Sequence, residues 1–143
     1  MKKKIEPLKV TAEEGRLIKA AIAARKNAYA PYSNYLVGSA ILEESGEIYT
    51  GCNVENASYP AGLCAERTAI VKMVSEGGKN IKKIVVAASS DEPVFPCGMC
   101  LQVIQEFGAN CEVIALSKNG KKLKKASMRK LFPFAFDPEK LKG

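Results

Sequence analysis

The sequence predicts a single α/β domain over residues 1–143, a three-layer α/β/α sandwich around a mixed sheet of about five strands. Three observations lead there. The length, 143 residues, suits one compact domain with one core. After residue 47, runs of strand character alternate with runs of helical period, the pattern of a sheet covered by helices. Ile84–Ala88 is continuously apolar and opens with β-branched residues, as a strand buried on both faces does.

Each element has its own signal. Thr11-Ala12-Glu13-Glu14 is a capping box, and Leu17, Ile18, Ala21 and Ile22 follow at helical spacing, so a first helix runs to about Asn27. Ala30-Pro31-Tyr32-Ser33-Asn34 reads as a turn. Val37–Leu42 and Ile48–Cys52 are short apolar runs around Ser45-Gly46, a hairpin. A polar loop, Asn53–Gly62, leads to Cys64–Glu76, where Ala65, Ala69, Ile70, Met73 and Val74 keep helical period until Gly77-Gly78. After Ile84–Ala88, Pro93 and Pro96 break the chain, and Cys100, Val103, Ile104 and Phe107 share one face of a third helix over Cys97–Phe107. Glu112–Leu116 is a strand, and Asn119-Gly120 predicts a two-residue hairpin into Lys121–Lys124. A short helix from Met128 and an extended tail complete the chain. The edges of the sheet are expected to be antiparallel.

Composition removes several mechanisms. With 47% hydrophobic and 26% charged residues, the chain has ordinary globular usage. The longest uncharged run, Asn27–Leu42, is interrupted by polar residues and falls short of the roughly 18 apolar residues of a membrane span. Met1–Lys4 is basic, but Ile5–Val10 holds a glutamate, a proline and a lysine where a secretory leader needs an apolar core, so the protein is expected in the cytoplasm. There is no histidine, which excludes a Ser-His-Asp triad, a Cys-His pair and any histidine-ligated metal. Five cysteines remain, at 52, 64, 97, 100 and 111, and under reducing conditions these are thiols rather than disulfides. Cys52 and Cys111 read as core residues.

Pro96-Cys97-Gly98-Met99-Cys100 puts two thiols at a helix start, where free amides and the helix dipole favour thiolates. A metal clamp or a redox pair could use that geometry, although a redox pair should follow its strand directly and two prolines intervene here. Cys64 starts another helix. A fold that joins the two helix starts would assemble Cys64, Cys97 and Cys100 around one zinc ion, and three thiolates with one open position describe a catalytic site rather than a structural one. Glu66, two residues after Cys64, could carry protons for a water at that position without ligating the metal. Cys-x-Glu followed by Pro-Cys-x-x-Cys is the signature of zinc-dependent deaminases, with Cys where the nucleic-acid enzymes carry His.

With these motifs the sequence resembles the small homotetrameric cytidine deaminases that act on free nucleosides. The similarity extends to Ala30-Pro31-Tyr32-Ser33, Val37-Gly38-Ser39-Ala40, the segment Gly51–Tyr59 and Cys64-Ala65-Glu66-Arg67-Thr68-Ala69, in family order from about residue 11 to residue 136. It implies a cytidine deaminase-like fold, one zinc per chain and hydrolysis of cytidine or deoxycytidine to uridine or deoxyuridine plus ammonia. It implies that Asn53 and Glu55 hold the ribose hydroxyls, that Ala65 offers backbone contacts to the base, and that Tyr35 stands beside the pyrimidine. Tyr59 and Phe136, the latter in Leu131-Phe132-Pro133-Phe134-Ala135-Phe136, would reach a neighbouring subunit's site. Arg67 would donate to the metal-binding thiolates. Leu101 stands where the family usually has a second Arg, and losing that cation is expected to leave the zinc more electron-rich and turnover slower.

Two other readings stay open: a related deaminase acting on a different aminopyrimidine nucleoside, and a non-catalytic RNA-binding relative. Asn53 and Glu55 speak against the first, and Glu66 against the second. The formal charge of +7 is concentrated at Lys118, Lys121, Lys122, Lys124, Lys125, Arg129 and Lys130, which read as a solvated edge strand guarded by lysines. No aromatic residue interleaves with them from Ser117 to Lys130, so nucleic acid is not the expected partner.

Overall fold

A computed structural model describes residues 9–142 of the chain. The leader reading at Met1–Lys4 and residues 5–8 lies outside the described residues. The elements in order are α1 (Ala12–Arg25), β1 (Val37–Glu43), β2 (Ile48–Cys52), α2 (Ala65–Ser75), β3 (Ile81–Ala88), α3 (Gly98–Gly108), β4 (Glu112–Leu116), β5 (Leu123–Ser127) and α4 (Met128–Leu131). Single 3₁₀ turns lie at Tyr59–Ala61 and Pro138–Leu141. Among the described residues no helix is long and apolar enough to cross a membrane.

The five strands form one mixed sheet in the order β2-β1-β3-β4-β5. Only β3 and β4 run parallel; β2 on β1, β1 on β3 and β5 on β4 are antiparallel. Both faces are covered, which makes the three layers expected from the apolar strands. Ile41, Ile84 and Val113 point to one face and pack with Ile70 and Met73 of α2 and Ile104 of α3. Their neighbours Ala40, Leu42, Val85 and Ile114 point to the other and pack with Leu17 and Ala21 of α1. Alternate residues thus serve two cores, so the strands read as unbroken apolar runs.

Two glycines set how closely the helices lie. A Cβ on Gly38 would come 2.0 Å from the Ala21 carbonyl oxygen, and one on Gly51 would come 2.4 Å from the Ala69 nitrogen and 2.7 Å from the Ala65 oxygen. These are backbone atoms that cannot move aside, so glycine at 38 and 51 is what lets α1 and α2 rest directly on the sheet.

Three boundaries differ from expectation. Strand β3 begins at Ile81, because Lys82 and Lys83 break the apolar run without breaking the strand. Lys83 stays in the sheet because its backbone pairs with Leu42 of β1 and Glu112 of β4, while its ammonium reaches Glu14 at 2.8 Å. The two-residue hairpin at Asn119-Gly120 is instead a longer connection, and β5 starts at Leu123, paired with Leu116. Ser117 is the cause. Its amide donates to the Lys122 carbonyl and its Oγ accepts from the Lys122 amide, both at 3.0 Å, so side-chain chemistry closes a wider turn. The tail is not extended throughout: Asp137 Oδ1 accepts from the Glu139 amide at 3.0 Å and caps the final 3₁₀ turn.

The capping box forms as read, with Thr11 Oγ1 accepting from the Glu14 amide at 3.1 Å and Glu14 Oε2 accepting from the Thr11 amide at 3.2 Å. Glu14 does more. Its buried carboxylate also accepts from Lys83 at 2.8 Å and Lys125 at 2.6 Å, tying α1 to β3 and β5. Burial pushes its pKa up, but the hydrogen bonds from Lys125, Lys83 and the Thr11 amide outweigh it and hold the carboxyl down at about 2, against an ordinary 4.5. A carboxylate depressed on folding stabilises the native state fully above its unfolded pKa and loses that contribution as pH falls through the folded one. Glu14→Gln is therefore expected to destabilise the protein by about 3 kcal/mol at neutral pH and to flatten the fall in melting temperature between pH 4.5 and about 2. Thermal melts of both proteins across that window check it; parallel curves would remove the triad as the source.

Candidate active site

Sheet register brings the site together. Gly38 of β1 pairs with Cys52 on one side and Ala87 on the other, so the chain leaves β2 and β3 at the same end of the sheet. The helices that follow, α2 and α3, return across the same face, and their N-termini meet. Cys64 is the N-cap of α2, Cys97 is the N-cap of α3, and Cys100 lies in the first turn of α3. The ligand atoms of these three residues all lie within 4.8 Å of one another.

The donor set fits zinc, which takes soft sulfur ligands in tetrahedral surroundings. Cys64 is poised as a thiolate: a hydrogen bond from Cys100 lowers its pKa to about 5, against the resistance of burial, and the Arg67 guanidinium adds to the effect. Cys100, which donates that bond and is buried, is pushed the other way. Arg67 Nη2 donates to Cys64 Sγ at 3.6 Å and to the Gly62 carbonyl at 3.3 Å. It holds the position the sequence gives it. Leu101 packs against the core cluster of Ile70 and Ile104 and brings no charge to the thiols.

Glu66 sits in the first turn of α2 and is only 4% exposed. Burial is the main reason its carboxyl is pushed up to about 7, and the negative charge of Cys64 adds to it. Such a group can both accept and release a proton near neutrality.

These residues form the wall of a cavity of about 660 Å³, lined also by Asn53, Glu55, Ala65, Tyr35 and Tyr59. All of the sequence-derived candidates except Cys100 and Phe136 line it. Cys100 is buried behind it, and Phe136 is 56% exposed on the surface, its carbonyl accepting from Gln102 Nε2 at 2.9 Å. Tyr59, expected to serve a neighbour, stands at the rim of its own chain's cavity and meets Tyr32 edge to face at 5.9 Å.

Asn53 and Glu55 have structural duties that the sequence did not reveal. Asn53 Oδ1 accepts from the Val37 amide at 2.9 Å, and its Nδ2 donates to the Tyr35 carbonyl at 2.7 Å. Glu55 accepts from the Tyr32 and Ser33 amides at 3.0 and 3.1 Å and from the Ser33 hydroxyl, which holds its carboxyl below the usual range. Both brace the 32–37 segment that carries Tyr35. Each lines the cavity and keeps some hydrogen-bonding capacity, since an amide has four sites, two of them used by Asn53, and a carboxylate about four lone pairs, three of them used by Glu55. Sequence reasoning missed Val94 and Phe95, which also line the cavity. The signal for Phe95 was available: an aromatic residue fixed between Pro93 and Pro96, directly before the cysteine pair.

Fold and site together define a zinc-site α/β protein of the deaminase type. The family model for the "Cytidine and deoxycytidylate deaminase zinc-binding region" matches residues 11–117. The chain is 44% identical to the cytidine deaminase of Sporosarcina psychrophila over 126 residues, covering 88% of this chain and 93% of that one. It is 45% identical to a probable cytidine deaminase of Dictyostelium discoideum over 127 residues, 88% of this chain and 85% of that one. The crystal structure of cytidine deaminase from Burkholderia pseudomallei superposes with a TM-score of 0.81 at 42% identity, covering 85% of this chain and 98% of that one. The chain belongs to the cytidine and deoxycytidylate deaminase family.

One zinc per chain is expected by elemental analysis, and with zinc bound the exposed Cys97 should resist thiol reagents. Chelation should release the metal and expose Cys97 to labelling. A metal-free protein whose Cys97 labels rapidly as isolated would contradict this.

Proposed function

We propose that this protein catalyses hydrolytic deamination of free cytidine or deoxycytidine to uridine or deoxyuridine plus ammonia, serving pyrimidine salvage in the cytoplasm. The observation that carries the reading is Glu66: a carboxyl only 4% exposed, two residues after Cys64 and in the wall of the same cavity as Cys64 and Cys97. A purely structural zinc site has no use for it.

Cys64, Cys97 and Cys100 would hold the zinc. When bound, the ion supplies Lewis acidity that brings a water toward neutral pKa. Glu66 takes a proton from the attacking water and delivers it to N3 as oxygen adds to C4, then moves a second proton to the exocyclic amine, which leaves as ammonia. Arg67 offsets the excess negative charge of three thiolates. Asn53 and Glu55 bind the ribose hydroxyls with the capacity their braces leave free, Tyr35 flanks the pyrimidine ring, and Ala65, at the first turn of α2, offers its backbone to the base.

Tyr59 and Phe136 act in a neighbouring copy's site, and the working form is a homotetramer with dihedral symmetry. The exposure of Tyr59 at 75%, Phe134 at 97% and Phe136 at 56% supports that assembly, because large apolar side chains so open to solvent mark surfaces that associate. Sedimentation should give a tetramer. A fully active monomer would withdraw Tyr59 and Phe136 from the site.

Glu66→Gln should retain zinc and lose turnover by at least about two orders of magnitude, the usual scale of acid–base assistance. The absorbance change from cytidine to uridine, with metal analysis of the same sample, checks it. Ammonia released from cytidine, with none from cytidine in RNA, separates this reading from a nucleic-acid-binding relative.

A further inference from the structure

The basic stretch of residues 118–130 is not a uniform solvated edge. Lys118 pairs with Asp91 at 2.7 Å, Lys122 pairs with Glu92, Lys125 pairs with Glu14 at 2.6 Å, and Arg129 donates to Asn110 at 2.8 Å. Among the described residues the ammonium groups of Lys121, Lys124 and Lys130 make no such pair. Two of these residues, Lys124 on β5 and Lys130 on α4, line a further cavity of about 400 Å³ together with Phe95, Ala126, Leu131 and Lys125, the last already paired with Glu14. Its size lies within the roughly 300–1,000 Å³ of small-molecule sites. An apolar wall with an aromatic ring, opposed by two ammonium groups that make no ion pair among the described residues, suits a planar ring joined to a multiply charged anion.

We propose that this groove is a binding site for a small organic phosphate carrying a planar ring, the nucleotide class, separate from the catalytic cavity. The phosphate is held by Lys124 and Lys130, and the ring lies against Phe95 and Leu131. A nucleic-acid strand fits less well. A strand needs a continuous track of free cations and several stacking rings, whereas the neighbouring lysines 118 and 122 are neutralised by Asp91 and Glu92 and the groove has one ring. Phe95 also lines the catalytic cavity, so its ring is a wall common to both.

Binding of uridine 5′-monophosphate to the zinc-loaded enzyme, measured by titration calorimetry at low salt, tests this. Lys124→Ala with Lys130→Ala should weaken binding at least tenfold and leave cytidine turnover without nucleotide unchanged. The control, Lys19→Ala with Lys121→Ala, removes the same charge elsewhere and should keep the affinity within about twofold. Equal loss in both double variants would reduce the effect to net charge and overturn the site. Unchanged binding in the first pair would place the nucleotide elsewhere, with the same consequence. Inorganic phosphate binding as tightly as the monophosphate would remove the ring from the proposal. A single-stranded RNA oligonucleotide that binds more tightly, and is lost in the first pair, would make the groove part of a nucleic-acid surface instead.

Discussion

The meeting of two helix N-termini at one end of the sheet is the constraint around which this molecule is organised. Cys64 caps α2 and Cys97 caps α3, so the positive ends of two helix dipoles and their free amides face the same three sulfurs. Of the three, Cys64 is the one held as a thiolate before any metal arrives, by its hydrogen bond from Cys100 and by Arg67. The convergence depends on strand register, because Gly38 sits between Cys52 and Ala87 and makes β2 and β3 end together. It also depends on Gly51, without which α2 could not lie on β2 at backbone contact. The chemistry of the site is therefore anchored in the packing of the sheet.

Electrostatic balance at that point is tight. Three thiolates around a divalent ion leave one excess negative charge, and Arg67 is the guanidinium placed to meet it, donating to Cys64 Sγ. Its Nε is buried without a partner among the described residues, while its Nη2 is shared between Cys64 Sγ and the Gly62 carbonyl. Leu101, half-buried against the core, adds no charge. Glu66 is buried in the same negative surroundings, and desolvation keeps it near the pKa at which a carboxyl can work in both directions. The same group in water would be a simple carboxylate.

Polar residues around the cavity serve the fold and the site at once. Asn53 and Glu55 fasten the 32–37 segment with side-chain hydrogen bonds to backbone, and so hold Tyr35 at the cavity wall. A pocket for a polar ligand has to keep its own loops ordered when empty, and hydrogen bonds to backbone do that without filling the space. Elsewhere Glu14 combines a helix cap with a buried ion triad. Its charged partners lie on β3 and β5, so a local helix signal also fastens a layer of the sandwich.

By itself the sequence determined the element order, the two-sided burial of the central strands, the capping box and the pairing of Cys-x-Glu with Pro-Cys-x-x-Cys. These are local or periodic properties, written within a few residues of one another. The resemblance to cytidine deaminases rested on the same short blocks. The tertiary structure decided the rest, because it depends on residues far apart in the chain. Pairing of Ile81 with Glu43 and of Lys83 with Leu42 and Glu112 starts β3 three residues earlier than its apolar run, and Ser117 with Lys122, closer in sequence, widens a turn that Asn119-Gly120 alone predicts to be tight. Phe95 lines two cavities, and in a run of lysines that looks uniform in sequence Asp91, Glu92 and Glu14 pair with Lys118, Lys122 and Lys125, while among the described residues Lys121, Lys124 and Lys130 have no such partner. A side chain's partner across the sheet is set by register and helix packing, and neither has a local signature.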